Sequence, residues 1–183
     1  MVIKYSKRDH EKYVATNLVK SLKLIYDFER MGDDKNEPDV ILKNNSKTIG
    51  IEICLTYYDN SDARQEWTLT RGEREFPSTG YEHRYEGTII DPDNLICSKI
   101  QEELEDKCSK KYLGVDESWL CIEARAPLTD RKSLNECMPK LEVPKNSSFK
   151  HIWLCYRSPL CDGGGYQVVE IVSELKEESN FSK

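Results

Sequence analysis

The chain has no run of roughly eighteen or more apolar residues, so no membrane-spanning helix is expected. It is poor in histidine. His10, His83 and His151 stand far apart and share no metal-ligand spacing, so a structural zinc site is not expected. No CxxC pair occurs among the seven cysteines, an odd number. The opening MVIKYSKRDHEKY has no apolar core of the kind a secretory signal requires. Together these absences point to a reducing, cytoplasmic setting with free thiols. There is no surplus of positive charge either: 27 Lys and Arg against 33 Asp and Glu leave a formal net charge of −6. Such a chain has no general attraction to nucleic acid, so any binding of that kind needs a local basic patch. What remains is ordinary for a globular protein. Of 183 residues, 38% are hydrophobic and 33% charged, enough for one domain with a core. No repeat or linker interrupts it, and residues 1–183 are read as a single domain.

The spacing of Val14, Leu18, Leu22 and Ile25 predicts an amphipathic helix over 9–24, with Asp9 as its cap. Glu11 falls in its first turn, near the apolar face. Residues 25–31 alternate as a strand. Next comes EPDVILKNNSKTIGIEIC, residues 37–54, which reads as a hairpin: two β-favouring runs around the turn formers KNNSK. On the second strand Ile49, Ile51, Ile53 and Leu55 share one face, and Glu52 and Cys54 the other. A charge among so many apolar neighbours is costly unless it is paired, binds metal or faces water.

Residues 56–90 show no persistent period. Arg64, Arg71, Arg74 and Arg84 are interleaved there with Trp67, Phe76, Tyr81 and Tyr85, as on a nucleic-acid surface where arginine forks phosphates and aromatics stack bases. Seven acids, from Asp59 to Glu86, share the stretch, so a solvated insertion is an equal reading. Asp91 and Pro92 then open a helix over about 93–111, with Ile96, Ile100 and Leu104 as its buried stripe. Strands follow at 118–124, 149–157 and 166–172. GGG at 163–165 precedes a strand rather than a helix, which argues against a phosphate-cradling loop.

With Pro38-Asp39 opening one strand and GIEIC on the next, within an αβββαβ order over roughly residues 9–124, the chain resembles the PD-(D/E)xK phosphodiesterase superfamily. PDVILKNNSKTIGIEICLT is most similar to branches that read PD…GxExT. The resemblance implies a restriction-endonuclease-like α/β fold: a central mixed sheet flanked by helices, here with two additional C-terminal strands. It implies a metal-dependent nuclease, with DNA as the substrate and pairing of two copies. Asp39, Glu52 and the Ile53 carbonyl would ligate Mg²⁺ or Mn²⁺, and Glu11 would add a further carboxylate. The chemistry suits the donors: Mg²⁺ prefers oxygen and keeps several waters, and a bound cation acidifies a water and offsets phosphoryl charge. The motif breaks at Cys54, where the family has a lysine, and a thiol supplies no positive charge. Lys99, in the second turn of the Asp91 helix, is the expected replacement, with Gln101 as the lesser choice. Arg64, Arg71, Arg74 and Lys99 would line the nucleic-acid groove. If no lysine reaches the site, the expectation becomes a catalytically silent nuclease fold that binds nucleic acid or protein.

Overall fold

The computed structural model of the chain describes residues 6–33, 35–56, 92–124, 131–157 and 166–171. Helix α1 spans Lys7–Ser21. Ser6, not Asp9, is its cap: Ser6 Oγ accepts the Asp9 N–H at 3.1 Å, and Asp9 Oδ2 accepts the Ser6 N–H at 2.9 Å. Asp9 is thus the third helical residue of a reciprocal capping box.

The helix also ends earlier than the apolar spacing predicts. Leu22 is its C-cap, Lys23 adopts φ 55°, and Leu24 N–H returns to the Val19 carbonyl at 2.9 Å. This is a Schellman closure with lysine where glycine is usual, which is why no stop was legible in the sequence. Ile25, expected on the buried stripe, is therefore beyond the helix and 87% exposed. Lys23→Gly is expected to stabilise the protein by about 1 kcal/mol, because glycine reaches this conformation without the Cβ penalty. Urea unfolding of the two proteins would measure it.

Strands β1 (Asp27–Met31), β2 (Val40–Lys43), β3 (Thr48–Thr56), β4 (Glu117–Ala124), β5 (His151–Arg157) and β6 (Tyr166–Glu170) form one sheet in chain order. β3, β4 and β5 are mutually parallel, and the other pairings are antiparallel. Helix α2 (Pro92–Lys107) lies between β3 and β4 in sequence, as a parallel connection requires. The expected α/β class is present, with a mixed sheet and helices on its faces. Asp91, the expected cap of α2, lies outside the described residues.

Alternation along β3 separates the two sides. Ile49, Ile51 and Ile53 pack with Val14 and Leu18 of α1. Cys54 packs on the other side with Ile96, Ile100 and Leu104 of α2, and with Leu120, Ile122 and Leu154. Each buried aliphatic side chain contributes about 1.5–3 kcal/mol relative to exposure, so both helices are held mainly by these faces.

The short helix α3 (Arg131–Cys137) falls between the strands expected at 118–124 and 149–157, where the sequence showed no element. Seven residues carry too little period to read, and it is packing on α2 through buried Leu134 and Cys137 that holds it. A Cys97–Cys137 disulfide joins the two helices, with Cα atoms 5.5 Å apart. The expectation of free thiols is corrected here. An odd cysteine count says nothing about which two are brought together, and the fold supplies the geometry. Cys54, Cys108, Cys121 and Cys155 are free and buried. Among the described residues, no helix is long and apolar enough to cross a membrane.

Candidate functional site

The register of β2 against β3 brings the two hairpin carboxylates together. Val40 pairs with Ile51 and Ile41 with Gly50, so one further step sets Asp39 opposite Glu52, on the side facing α2. Asp39 sits just before β2 begins, and its Oδ2 accepts the Ile53 N–H at 2.8 Å. A strand residue's N–H and C=O point to the same side, so the Ile53 carbonyl is directed towards Asp39 as well.

Pro38 is what sets this corner. It is buried, and its ring lies so close to Gly50 that a Cβ there would meet the Pro38 Cγ and, at 3.1 Å, the Val115 side chain. Gly32 meets the Pro38 carbonyl in the same way, and its N–H donates to the Asp39 carbonyl at 2.9 Å. The two glycines therefore let the Pro-Asp turn lie flat against β3. The preceding loop is tied by Asp33 Oδ1, which accepts N–H bonds from Lys35, Asn36 and Glu37, and by the Arg30–Glu37 fork.

Electrostatics register the proximity of the carboxylates. Burial first, then the charge of Glu52, pushes the Asp39 carboxyl up to about 7 from 3.8, against the Ile53 hydrogen bond, which lowers it. The charge of Glu11 on α1 adds to the rise. Glu11 is buried and paired with Lys7 at 3.1 Å. Between pH 4 and 7, the folded protein holds a proton on Asp39 that the unfolded chain has released. Stability should therefore fall as pH rises across that window, by at most about 1.4 kcal/mol per pH unit, and level off above it. Asp39→Asn should flatten this slope in denaturation curves taken from pH 4 to 8.

The lysine expected at the site is not the one found there. Lys99 Nζ pairs with Glu102 on its own helix at 2.6 Å, and Gln101 bonds the backbone of Glu142. Instead Glu52 Oε1 faces Lys107 Nζ at 3.6 Å and Lys110 Nζ at 3.4 Å. The reason is the direction of the crossover. A helix joining two parallel neighbours runs back along the sheet, so its last turn reaches the early half of β3. Lys99 lies eight residues upstream, about 12 Å along the axis. The turn carrying Lys110 is pinned by Ser148, whose hydroxyl donates to the Lys110 carbonyl. Lys107 stays charged: burial lowers its pKa, but the neighbouring Glu52 carboxylate and a hydrogen bond to Asp106 raise it more.

Two further side chains complete the surroundings. Tyr112, on the connection after α2, lies near Glu52, and its phenol is pushed up by burial and by that carboxylate's charge. Burial, then the charge of Glu103, pushes the Cys54 thiol up, so it stays a neutral thiol beneath Glu52. Lys107, Lys110 and Tyr112 belong to DKCSKKY at 106–112, a run that read only as the charged end of a helix. Its place over Glu52 comes from the crossover, which local pattern does not carry. Arg64, Arg71 and Arg74 lie outside the described residues.

A divalent cation fits the donors that are present in a limited way. No group of three or more His, Cys, Asp or Glu side chains among the described residues could hold a metal ion. Asp39 and Glu52 offer two hard carboxylates, with the Ile53 carbonyl beside them. That suits Mg²⁺, which commonly takes one or two carboxylates and fills its shell with water and substrate phosphate. A second buried polar pair, His10 Nε2 with Glu123 Oε2 at 2.7 Å, lies on the α1 side of the sheet and ties that helix to β4. No protein-family model, curated protein or solved structure matches the chain.

Proposed function

We propose that the chain is a metal-dependent nuclease of the restriction-endonuclease-like fold, hydrolysing phosphodiester bonds of nucleic acid, with DNA as substrate. The observation that carries this reading is one cluster: Asp39 and Glu52 on adjoining strands, with two ammoniums directed at Glu52. Carboxylates beside lysines are what a phosphodiester requires, since the acids hold a cation and the ammoniums meet the anionic oxygens. Asp39, Glu52 and the Ile53 carbonyl would hold Mg²⁺ or Mn²⁺. Bound there, the cation would acidify a water and offset charge on the phosphoryl group. Glu11, buried beside Lys7, would keep the Asp39 side of the site negative. Lys107 and Lys110 would supply the positive charge that Cys54 does not. Two copies acting together and a cytoplasmic setting remain part of this proposal.

A catalytically silent member of the same fold is the second reading. It is favoured by the two ammoniums that already neutralise Glu52, and by the small donor set. Incubating the protein with linear and supercoiled DNA, with Mg²⁺ or Mn²⁺ and with EDTA, distinguishes the two. The nuclease reading expects cleavage only with the metal. Metal binding without cleavage of DNA or RNA would select the silent domain.

A further inference from the structure

Glu52 is a buried carboxylate, 7% exposed, and its strand neighbours Ile51 and Ile53 are buried too. A charge in such a place needs a partner. Its Oε1 has two, Lys107 Nζ and Lys110 Nζ, at 3.6 and 3.4 Å. Asp39 takes a backbone N–H instead. The lysines come from the last turn of α2 and the turn after it, on long flexible stems, and their side chains are 20% and 41% exposed. They can leave Glu52 without unpacking the core. Two ammoniums converging on one oxygen also repel each other; Glu52 holds both, and Asp106 Oδ2 also takes Lys107 Nζ, at 3.3 Å, so a second anion is at hand for Lys107 when it leaves Glu52.

Resting on the reading of this site as a cation-dependent phosphodiesterase, we infer that Lys107 and Lys110 are exchangeable counter-cations of Glu52. They neutralise it in the metal-free protein, give it up when a divalent cation takes the carboxylates, and then turn their ammoniums to the nonbridging oxygens of the phosphodiester. No covalent bond forms or breaks in the exchange; Glu52 trades one set of cationic partners for another. Two consequences run in opposite directions. The lysines compete with the divalent cation, so they weaken its binding to the substrate-free protein. Once released they bind phosphate, so they strengthen nucleic-acid binding when the cation is present. Cation and nucleic acid are thereby coupled through the same two side chains. A neutral thiol at Cys54 takes part in neither step.

The test titrates Mn²⁺ calorimetrically into the wild type, Lys107→Met/Lys110→Met and Lys107→Arg/Lys110→Arg. A phosphorothioate DNA duplex is then titrated with and without Mn²⁺. The double Met variant should bind Mn²⁺ roughly tenfold more tightly, a usual size for coupling between two ligands, and should lose most of its Mn²⁺-dependent duplex affinity. The Arg variant, which keeps both charges, should stay near the wild type in both measurements. Lys110→Met alone should shift both affinities less, in the same directions, and it carries the test if the double variant does not fold. Mn²⁺ binding by the Met variants alone supports the exchange. Unchanged or weaker Mn²⁺ affinity in the Met variants, with the wild type binding, overturns the exchange and leaves the phosphodiesterase reading standing. No Mn²⁺ binding by any of the proteins overturns that reading, and the exchange with it.

Discussion

Asp39→Asn is expected to abolish metal-dependent cleavage while leaving the fold in place. The asparagine carbonyl can still accept the Ile53 N–H that Asp39 Oδ2 takes now, so the corner between β2 and β3 keeps its bond. The Asp39 carboxyl already titrates near neutrality, at about 7, so a neutral replacement costs the folded state little. What is lost is a hard anionic ligand. Losing several kcal/mol of charge stabilisation in the transition state corresponds to roughly a 10³-fold fall in rate. Near-wild-type cleavage by Asp39→Asn would rule out the carboxylate pair as the site.

The lysines should rank by where their amines lie. Lys107→Ala and Lys110→Ala should each lose roughly 10- to 10²-fold in cleavage, a lesser loss than that of a preorganised oxyanion donor because each can partly cover for the other. Lys99→Ala should lose little, since its amine sits on Glu102. Cys54→Ala should also lose little in activity, because the thiol carries no charge. The opposite ranking would return the cation role to Lys99, or raise the thiol as a nucleophile.

The second large effect concerns stability. Reducing the Cys97–Cys137 bond, or replacing Cys97 by Ser, should destabilise the protein by roughly 3–4 kcal/mol, the loop-closure value for a separation of 40 residues. The bond fastens α3, a seven-residue helix that could not stand alone, to the helix carrying Lys107. Paired melts with and without a reductant measure it, and Cys108→Ser should not reproduce the loss. Disulfides persist in oxidising surroundings, so a full loss under mild reductant would count against the cytoplasmic setting inferred from the sequence.

The order of elements was legible from local pattern because local pattern is what forms them. Alternation marked β3 and assigned Ile49, Ile51 and Ile53 to one face and Glu52 and Cys54 to the other, and burial follows that division. The stripe of Ile96, Ile100 and Leu104 marked α2. Pro38-Asp39 and Gly50-Ile51-Glu52 marked the corner, and the structure supplies a steric cause for the glycine: the Pro38 ring occupies the space of a side chain there. Where local pattern was silent, the reading erred. Lys23 closes α1 in a left-handed conformation that only the Schellman bonds reveal. The stretch ahead of β5, where no element was legible, holds α3, which exists through its packing on α2.

The sequence by itself determined which residues could be chemical here, because a carboxylate in an apolar strand is conspicuous wherever the chain goes. Only the tertiary structure decided which cations meet it. Lys99, Lys107 and Lys110 are alike as letters on one charged helix and its end. The antiparallel return of α2 across the sheet carries the last two to Glu52 and leaves the first with Glu102. The same holds for Cys97 and Cys137, whose pairing needs two helices in contact, a relation between elements that no spacing along the chain contains.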